Sequence, residues 1–289
     1  MPKELKLGHF LYGKSIYSIL EFIGEGCFGK VAKCRNMATK KFVAIKILKQ
    51  HLDLCLDTKR EMKMLEVISA LDTDRSNVVK FFECFEENDQ TCLAFEMLDK
   101  SLYDLMKANR FKPMSLQEIR PIAQQVLVAL NALKGVGVIH GDIKPDNIML
   151  VDHQNQPFKI KLIDFGQAVK VTEAMPWETI QPIGYRAPEV VLGLPFDEAI
   201  DVWGVACVLA FMYLRNNLFP IHCEYQMAIA NFQVKLGARS NTVDGSCNGN
   251  GRDLGEKVME DLCHIIRTPV VFTQSPPLKK ENVPFSHLV

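Results

Sequence analysis

The first third of the chain carries short apolar runs separated by polar turns, a pattern that predicts β-strands. The runs occupy 19–23, 31–34, 42–48 and 78–84. One segment between the last two runs, Asp57–Ala70, differs because its apolar residues recur at helical spacing. Residues 1–16, ahead of these runs, are interpreted as a leader. The part from 17 to 96 is therefore expected to be rich in strands, with one helix.

Helical patterns dominate from residue 101 onward. They cover Ser101–Asn109, Ser115–Leu133 and the apolar run Val202–Leu214. Ser115 and Glu118 have the spacing of a capping box, which predicts that a helix begins there. The apolar run is shorter than the roughly 20 residues that cross a bilayer, so it is predicted to be a buried helix. The stretches 138–150 and 158–163 are expected to be loop and short strands, and 240–253 a mobile loop.

Composition limits the classes of protein to consider. At 289 residues, with 48% hydrophobic and 24% charged residues, the chain is expected to be a globular protein of one large domain or two lobes. A net charge of zero gives no general attraction to nucleic acid or to an anionic membrane, so neither is expected as a partner. The nine cysteines are scattered without a CxxC pair, which favours reduced thiols inside the cell.

One segment combines the groups that phosphoryl transfer requires. His140–Asn147 has the sequence His-Gly-Asp-Ile-Lys-Pro-Asp-Asn, and Asp164-Phe165-Gly166 follows an apolar strand. The chemistry needs a carboxylate to orient the attacking hydroxyl, a cation near the transferred phosphate, and oxygen ligands for magnesium. An isolated His-x-Asp would carry little weight, because most such triplets lie on surface loops. The ordered spacing of the whole set makes the signal specific.

Each of these residues receives a predicted role. Asp142 is predicted to be the base, and Lys144 the cation at the γ-phosphate. Asn147 and Asp164 are predicted to be the magnesium ligands. His140 is predicted to be a structural residue of the loop rather than a catalyst.

A glycine-rich turn lies upstream, Gly24-Glu-Gly26-Cys-Phe-Gly29-Lys-Val31. The pattern GxGxxG alone is ambiguous, since a dinucleotide-binding turn uses the same glycines to open a helix. Here a strand follows, then a turn and a second strand containing Val43-Ala-Ile-Lys46. A glycine-rich hairpin lets backbone approach phosphates without a Cβ in the way. Lys46 is predicted to contact the α- and β-phosphates, and Ala187-Pro-Glu189 closes the segment that starts at Asp164.

These motifs, in this order, resemble a eukaryotic protein kinase over nearly the whole chain. Three longer phrases are similar to the homeodomain-interacting protein kinases: Thr91–Leu98 with Ser101–Leu105, Ile139–Leu150 and Leu192–Trp203. That subfamily shares a branch with the dual-specificity tyrosine-regulated kinases and lacks arginine in the middle of His-x-Asp, as does this chain at Gly141. The resemblance implies an α+β fold of two lobes. It places a β-rich N-lobe with one helix at 17–96 and a helical C-lobe at 97–288, shortened after 237.

The resemblance also implies which residues bind ATP. The segment Phe95–Leu98 is expected to be the hinge, with Phe95 as gatekeeper and the backbone of Glu96 and Leu98 bonded to adenine. Further nucleotide contacts are implied for Ile23, Gly24, Glu25, Gly26, Gly29, Val31, Ala44 and Lys46. By itself, Glu61 would be interpreted as part of a solvated helix face. Its place between the lysine strand and the next strand favours a pair with Lys46.

Two residues further along also receive expectations. Asp201 opens the predicted buried helix, and a buried charge there would be costly without partners. By resemblance it anchors the catalytic loop from beneath, while the simpler alternative is a helix N-cap. Trp203 is expected in the core.

The chain also departs from its relatives. By resemblance, Thr179 occupies the place of an autophosphorylated tyrosine, and Ile183 that of an arginine that favours proline after the phosphorylated residue. The stretch between 237 and 256 is shorter, and Gln274 takes the place of the arginine that pairs with Glu189. The kinase is therefore expected to be active without phosphotyrosine in the segment from Asp164 to Glu189. That segment is expected to be held by packing of Ile180, Ile183 and Tyr185.

The sequence thus predicts an intracellular serine/threonine protein kinase that uses Mg·ATP, and the resemblance leaves open a dual specificity that includes tyrosine. Its expected partners are a protein substrate with a Ser/Thr hydroxyl and a regulatory protein, in the nucleus, the cytoplasm or both. The first alternative is a pseudokinase or kinase-shaped interaction module that binds ATP without efficient transfer. The second is a small-molecule kinase of the aminoglycoside or choline type, which the Ala-Pro-Glu segment and the glycine-rich turn disfavour.

Overall fold

The structure, a computed structural model, describes residues 5–26, 29–49, 54–223 and 226–227, with backbone alone at 54–57. The N-terminal part is a six-stranded antiparallel sheet in the order β1-β2-β3-β4-β6-β5. Its strands are β1 (Phe10–Tyr12), β2 (Ile16–Glu25), β3 (Gly29–Asn36), β4 (Phe42–Leu48), β5 (Phe81–Glu87) and β6 (Gln90–Glu96). The predicted strand-rich part is confirmed.

Alternation along these strands explains the packing of the sheet. In β4, Val43, Ile45 and Ile47 are buried in an apolar cluster with residues of β1, β2, β3 and β6. The residues between them, including Lys46, therefore face the opposite side of the sheet. The fourth predicted strand begins later than expected, at Phe81, because Val78 instead forms an isolated bridge to Leu162.

Within the described residues 5–16, Phe10–Tyr12 form β1 and Ile16 begins β2, which corrects the interpretation of this stretch as a leader. Strand β1 pairs with β2, and Leu11 is fully buried. The Tyr12 N–H donates to Oε2 of Glu87 at 3.1 Å, and the Lys14 N–H donates to Oε2 of Glu83 at 2.6 Å. Since both glutamates lie on β5, the two edges of the sheet are brought together. The sequence of 1–16 gives little warning of this, because β1 is only three residues long.

One helix, α1 (Leu54–Ile68), packs against this sheet. It begins three residues before the predicted start at Asp57 and ends two residues before the predicted end at Ala70. Its apolar face, with Met64, Leu65 and Ile68 buried, joins the main core, as the helical spacing predicted.

The second part is mainly helical. Its helices are α2 (Leu102–Ala108), α3 (Leu116–Gly135), α4 (Pro188–Val191) and α5 (Ala199–Leu214). The capping box predicted at Ser115 and Glu118 is present, and a second one joins Ser101 and Asp104. Helix α5 is buried along most of its length, as predicted. Within the described ranges, no helix is both long and apolar enough to cross a membrane.

Two small ladders bring the predicted chemical segments together. Strands β7 (Val138–Ile139) and β10 (Val169–Lys170) pair, as do β8 (Ile148–Asp152) and β9 (Gln156–Leu162). Because β8 pairs with β9, the loop that precedes β8 lies beside the loop that follows β9. The whole has the predicted α+β class, with a β-rich first part and a helical second part. The loop predicted at 240–253, the shortened stretch and Gln274 lie outside the described residues.

Candidate active site

A lysine lies between two carboxylates where the two parts of the molecule meet. Lys46 Nζ is 2.7 Å from Oε1 of Glu61 and 3.0 Å from Oδ1 of Asp164. The lysine comes from β4, the glutamate from α1 and the aspartate from the turn after β9. The expected pair of Lys46 and Glu61 is therefore present, and the aspartate that begins the second motif faces the same ammonium group.

Burial and charge shift the pKa values of this trio in different directions. Burial lowers the pKa of Lys46, but the carboxylates of Asp164 and Glu61 outweigh it, and the lysine pKa is raised. Burial also raises the pKa of Glu61, against the opposing effect of Lys46. For Asp164, the cost of burial is overcome by Lys46, so its pKa is lowered. Asp164 is thus the firmly ionised carboxylate of the two.

A second cluster surrounds Asp142 in the loop between β7 and β8. Its Oδ2 accepts hydrogen bonds from Lys144 Nζ at 2.9 Å and from Asn147 Nδ2 at 2.7 Å. Asn147 Nδ2 also donates to the backbone oxygen of Asp142 at 2.9 Å. Two donors thus fix one carboxylate oxygen, while no described residue donates to the other. The short helix Pro145–Asn147 provides this spacing, because it brings the carboxamide back toward the aspartate.

The loop is anchored from beneath by Asp201 of α5, the role that the resemblance implied. The buried carboxylate accepts the backbone N–H of His140 at 2.7 Å and that of Gly141 at 2.9 Å. Burial raises the pKa of Asp201, against the opposing effects of His140 and these two donors. Buried charge is tolerated here because donors satisfy both oxygens.

His140 is a structural residue of the loop, as predicted. Its Nδ1 accepts the N–H of Asp142 at 3.2 Å, and its Nε2 lies 3.0 Å from the oxygen of Ile163. The imidazole ring also contacts the ring of Phe165, with centroids 4.9 Å apart. Phe165 is fully buried in the main core, which directs its neighbour Asp164 toward Lys46. Asp164 has a φ of 59°, and this left-handed conformation turns the chain between the two residues.

The donor set suits a magnesium ion. Asn147 and Asp164 offer carboxamide and carboxylate oxygens, the ligands that this hard cation prefers. The amide nitrogen of Asn147 is directed to Asp142, and no described residue donates to its amide oxygen. The N–H of Ile163 donates to the backbone oxygen of Asn147 at 2.9 Å, which ties the two ligand-bearing loops together. The residues present therefore fit the metal that the sequence implies.

Strand register places several of the expected nucleotide-binding residues on one face of the sheet. Lys46 is paired with Val31 of β3, and Ala44 with Phe95 of β6. Since paired residues point to the same side, these four side chains share a face.

The other expected nucleotide-binding residues lie near the glycine-rich turn or after β6. Ile23, Gly24 and Glu25 end β2, and the N–H of Gly26 donates to the oxygen of Gly29. Leu98 is buried after β6. A Cβ at Gly29 would overlap the carbonyl oxygen of Ile47.

The expected hinge is held by a residue that the sequence analysis did not single out. Lys161 of β9 is 2% exposed, and its Nζ lies 2.6 Å from Oε1 of Glu96 and 2.8 Å from Oδ1 of Asp74. The same glutamate oxygen accepts the N–H of Lys80 at 2.6 Å. The signal in the sequence was a lysine within an otherwise apolar run, which requires buried partners.

The segment from Asp164 to Glu189 is packed, as expected, and also hydrogen-bonded. Ile180 is buried beside Gly141, where a Cβ would lie 2.7 Å from the isoleucine side chain. Ile183 and Tyr185 are half-buried against a small cluster that includes Phe219. Trp203 also belongs to that cluster, and it stacks on Phe219 at 5.7 Å rather than being fully enclosed.

Comparison with known proteins agrees with this arrangement. The sequence profile described as "Protein kinase domain" matches residues 17–264. The chain is 49% identical over 209 residues to homeodomain-interacting protein kinase 1 of Mus musculus, covering 72% of this chain and 17% of that protein. It is 47% identical over 214 residues to homeodomain-interacting protein kinase 1 of Caenorhabditis elegans, covering 74% and 25%. It is 43% identical over 211 residues to homeodomain-interacting protein kinase 4 of Homo sapiens, covering 72% and 34%.

The resemblance to the homeodomain-interacting protein kinases is thus confirmed, although the chain spans only 17% to 34% of the length of these relatives. The family profile covers most of the chain, including every residue of the two charged clusters. The order of the motifs, the fold and the profile agree, and the chain belongs to the protein kinase family.

Proposed function

We propose that this chain is an ATP-dependent protein kinase that transfers the γ-phosphoryl group of Mg·ATP to serine or threonine. The observation that carries the proposal is Lys46, which contacts Glu61 and Asp164 at the same time. In protein kinases the lysine–glutamate pair and the metal-binding aspartate must both be in place for transfer. Phe165, buried behind Asp164, maintains that arrangement.

Asp142 orients the attacking hydroxyl in this proposal. The Asp142 oxygen to which no described residue donates accepts the hydroxyl proton of a serine or threonine side chain. At the same time, the hydroxyl oxygen bonds to the γ-phosphorus. The bond between the γ-phosphorus and the β,γ-bridging oxygen breaks, and ADP leaves with that oxygen. Lys144, 2.9 Å from the other carboxylate oxygen, is close enough to balance negative charge on the transferred group.

The remaining residues hold the nucleotide. Lys46 binds the α- and β-phosphates, and Glu61 keeps its ammonium group in position. Asn147 and Asp164 would hold the magnesium ion, which would offset the negative charge of the phosphates. Val31, Ala44 and Phe95 contact the adenine ring, and the backbone of Glu96 and Leu98 bonds to its edge.

The substrate in this proposal is a protein, and the choice of a lysine at 144 favours serine or threonine over tyrosine. Ile183 replaces the arginine that favours a following proline in relatives, so proline is not required after the phosphorylated residue. The protein acts inside the cell, in the nucleus, the cytoplasm or both, with a regulatory protein as partner.

The test is transfer of radiolabelled phosphate from ATP to a generic basic protein, with Asp142→Asn assayed beside the wild type. We expect transfer by the wild type and a loss of about 10²-fold or more in the variant. If the wild type binds Mg·ATP but its transfer equals that of Asp142→Asn, the protein is a pseudokinase and the proposal is wrong.

A further inference from the structure

Two ion pairs connect helix α1 to the segment after β10. Arg60 Nη2 lies 2.8 Å from Oε1 of Glu178, and Lys63 Nζ lies 2.7 Å from Oε1 of Glu173. The first pair is the more enclosed, with side chains 41% and 25% exposed, against 51% and 48% for the second. Both cations come from α1 and both carboxylates from the segment that follows Asp164.

The cations lie on the part of the helix that serves the active site. Arg60 directly precedes Glu61, and Lys63 is two positions beyond it. A displacement of α1 away from the second part of the molecule would separate Glu61 from Lys46. A contact that holds Arg60 against that part therefore also holds the Lys46–Glu61 pair.

Glu178 lies between two contacts of the segment with the second part of the molecule, the first through the exposed Trp177 and the second through the buried Ile180. On one side, Trp177 has a φ of 68°, unusual for a bulky residue, and its ring covers Gly193, where a Cβ would overlap it. On the other side, Ile180 is buried beside Gly141. The second carboxylate oxygen of Glu178 accepts the N–H of Met175 at 3.4 Å. The carboxylate is thus fixed with respect to the catalytic loop.

Gln181 completes this anchor. Its N–H donates to the oxygen of Gly141 at 3.0 Å, and its Nε2 donates to the oxygen of Ile200 at 2.8 Å. Its Oε1 accepts the N–H of Ala187 at 2.9 Å. The buried guanidinium of Arg186 adds hydrogen bonds to the backbone oxygens of Ile180 at 3.0 Å and of Gln181 at 2.8 Å. None of these contacts requires a phosphate.

We propose that Glu178 is a positioning residue whose carboxylate, by pairing with Arg60, keeps α1 in the active position without phosphorylation of the segment. The proposal deepens the proposed kinase function and rests on it. An anionic group at this place orders a loop by pairing with an arginine, which is how a phosphate acts in other switches. Here the anion is encoded in the sequence, next to Thr179.

Charge reversal tests the pair. Phosphatase-treated wild type, Arg60→Glu, Glu178→Arg and the double variant are compared by kcat/KM for a peptide at saturating ATP. Partly exposed ion pairs contribute only a modest free energy, so we expect each single reversal to lower kcat/KM by about 3- to 10-fold. The double variant, with the charges exchanged, should recover at least half of the loss. A structural defect at either position would not be rescued in this way.

The same exchange at Lys63 and Glu173 serves as the matched control, and its single variants should lose no more than about 2-fold because both side chains are more exposed. Equal activity of the single variants at 60 and 178 and the wild type would overturn the proposal. So would absence of recovery in the double variant, or loss of wild-type activity on phosphatase treatment.

Hydrogen exchange of 171–186 without nucleotide separates this proposal from the proposed function. We expect faster exchange in both single variants at 60 and 178, and restored protection in the double variant. If the wild type transfers no phosphate yet shows this pattern, the kinase activity is wrong and the ion pair remains. If exchange is the same in all four proteins, the positioning role of Glu178 is wrong whatever the activity.

Discussion

At the scale of single residues, the central feature is one buried ammonium group shared by two carboxylates. Lys46, Glu61 and Asp164 together carry one negative charge in excess when all are ionised. The two carboxylates beside Lys46 differ in acidity, because the pKa of Asp164 is lowered and the pKa of Glu61 is raised. Asp164, the proposed metal ligand, stays ionised more readily than Glu61, so the two carboxylates are expected to affect activity differently as the pH changes.

Lys46→Met should remove most of the transfer activity and leave the fold intact. The lysine contacts two carboxylates rather than packing in the apolar cluster on the other face of β4. Loss of a preorganised charge at a reacting group costs on the order of 10²- to 10³-fold. The measurement is radiolabel transfer together with a melting curve. Lys41→Met, an exposed position just before the same strand, is the control and should keep full activity.

Activity should fall on mild acidification as Glu61 becomes protonated. Burial raises the pKa of Glu61, so it takes up a proton at a higher pH than an ordinary glutamate. The neutral carboxyl no longer attracts Lys46 as an anion, and kcat/KM for ATP falls as pH decreases through that raised pKa. Glu61→Gln should have a lower plateau and lack this acidic limb. An acidic limb at the same pH in the wild type and in Glu61→Gln would show that another group titrates.

At the scale of elements, function depends on how strands, helices and loops are tied to one another. Helix α5 holds the loop between β7 and β8 through Asp201, and β9 holds the end of β6, the proposed hinge, through Lys161. Both ties are buried charges with satisfied partners, so they are specific in geometry rather than large sources of stability.

Lys161→Met should raise the KM for ATP about 3- to 10-fold with a smaller effect on kcat, because Glu96 loses the partner that positions the hinge. The matched control is Lys159→Met, two residues earlier on the same strand. Its Nζ bonds to Oδ1 of Asn77 at 2.6 Å and does not contact Glu96. That variant should lose stability without a change in KM. An equal change in KM for both variants would contradict the role of Lys161.

At the scale of the whole molecule, the proposed nucleotide site lies between the β-rich part and the helical part. Its residues come from β2, β3, β4, α1, β6 and the segment after it, the loop before β8 and the turn after β9. A ligand that binds there contacts both parts and is bound only by the folded chain. Binding should therefore stabilise the molecule as a unit.

Mg·ATP should raise the melting temperature by mass action. At a concentration of about 100 times Kd, the gain is about 2.7 kcal/mol. For a domain of this size, that gain corresponds to a shift of roughly 5 to 10 °C. Asp164→Asn should abolish most of the magnesium-dependent part of the shift. Equal shifts with and without magnesium in both proteins would count against Asp164 as a metal ligand.

Much of the architecture could be predicted because it depends on local patterns. Strand β4 has the predicted bounds, since alternation and β-branched residues define it without help from distant contacts. The starts of α2 after Ser101 and of α3 after Ser115 follow from capping chemistry within four residues. In contrast, β1 was missed because three residues cannot carry a periodic signal, and its pairing with β2 and contacts to β5 identify it only in the folded chain.

The sequence by itself determined the identity and order of the chemical groups, because motif spacing from Gly24 to Glu189 is a property of the chain. It therefore named Lys46, Glu61, Asp142, Lys144, Asn147 and Asp164. Only the tertiary structure decided which of these groups touch, that Lys161 holds Glu96, and that Arg60 meets Glu178. The contacts of Lys46 with Glu61 and Asp164, of Lys161 with Glu96 and of Arg60 with Glu178 join residues 15 to 118 positions apart. Packing of whole elements sets such distances, and no local pattern of residues records them.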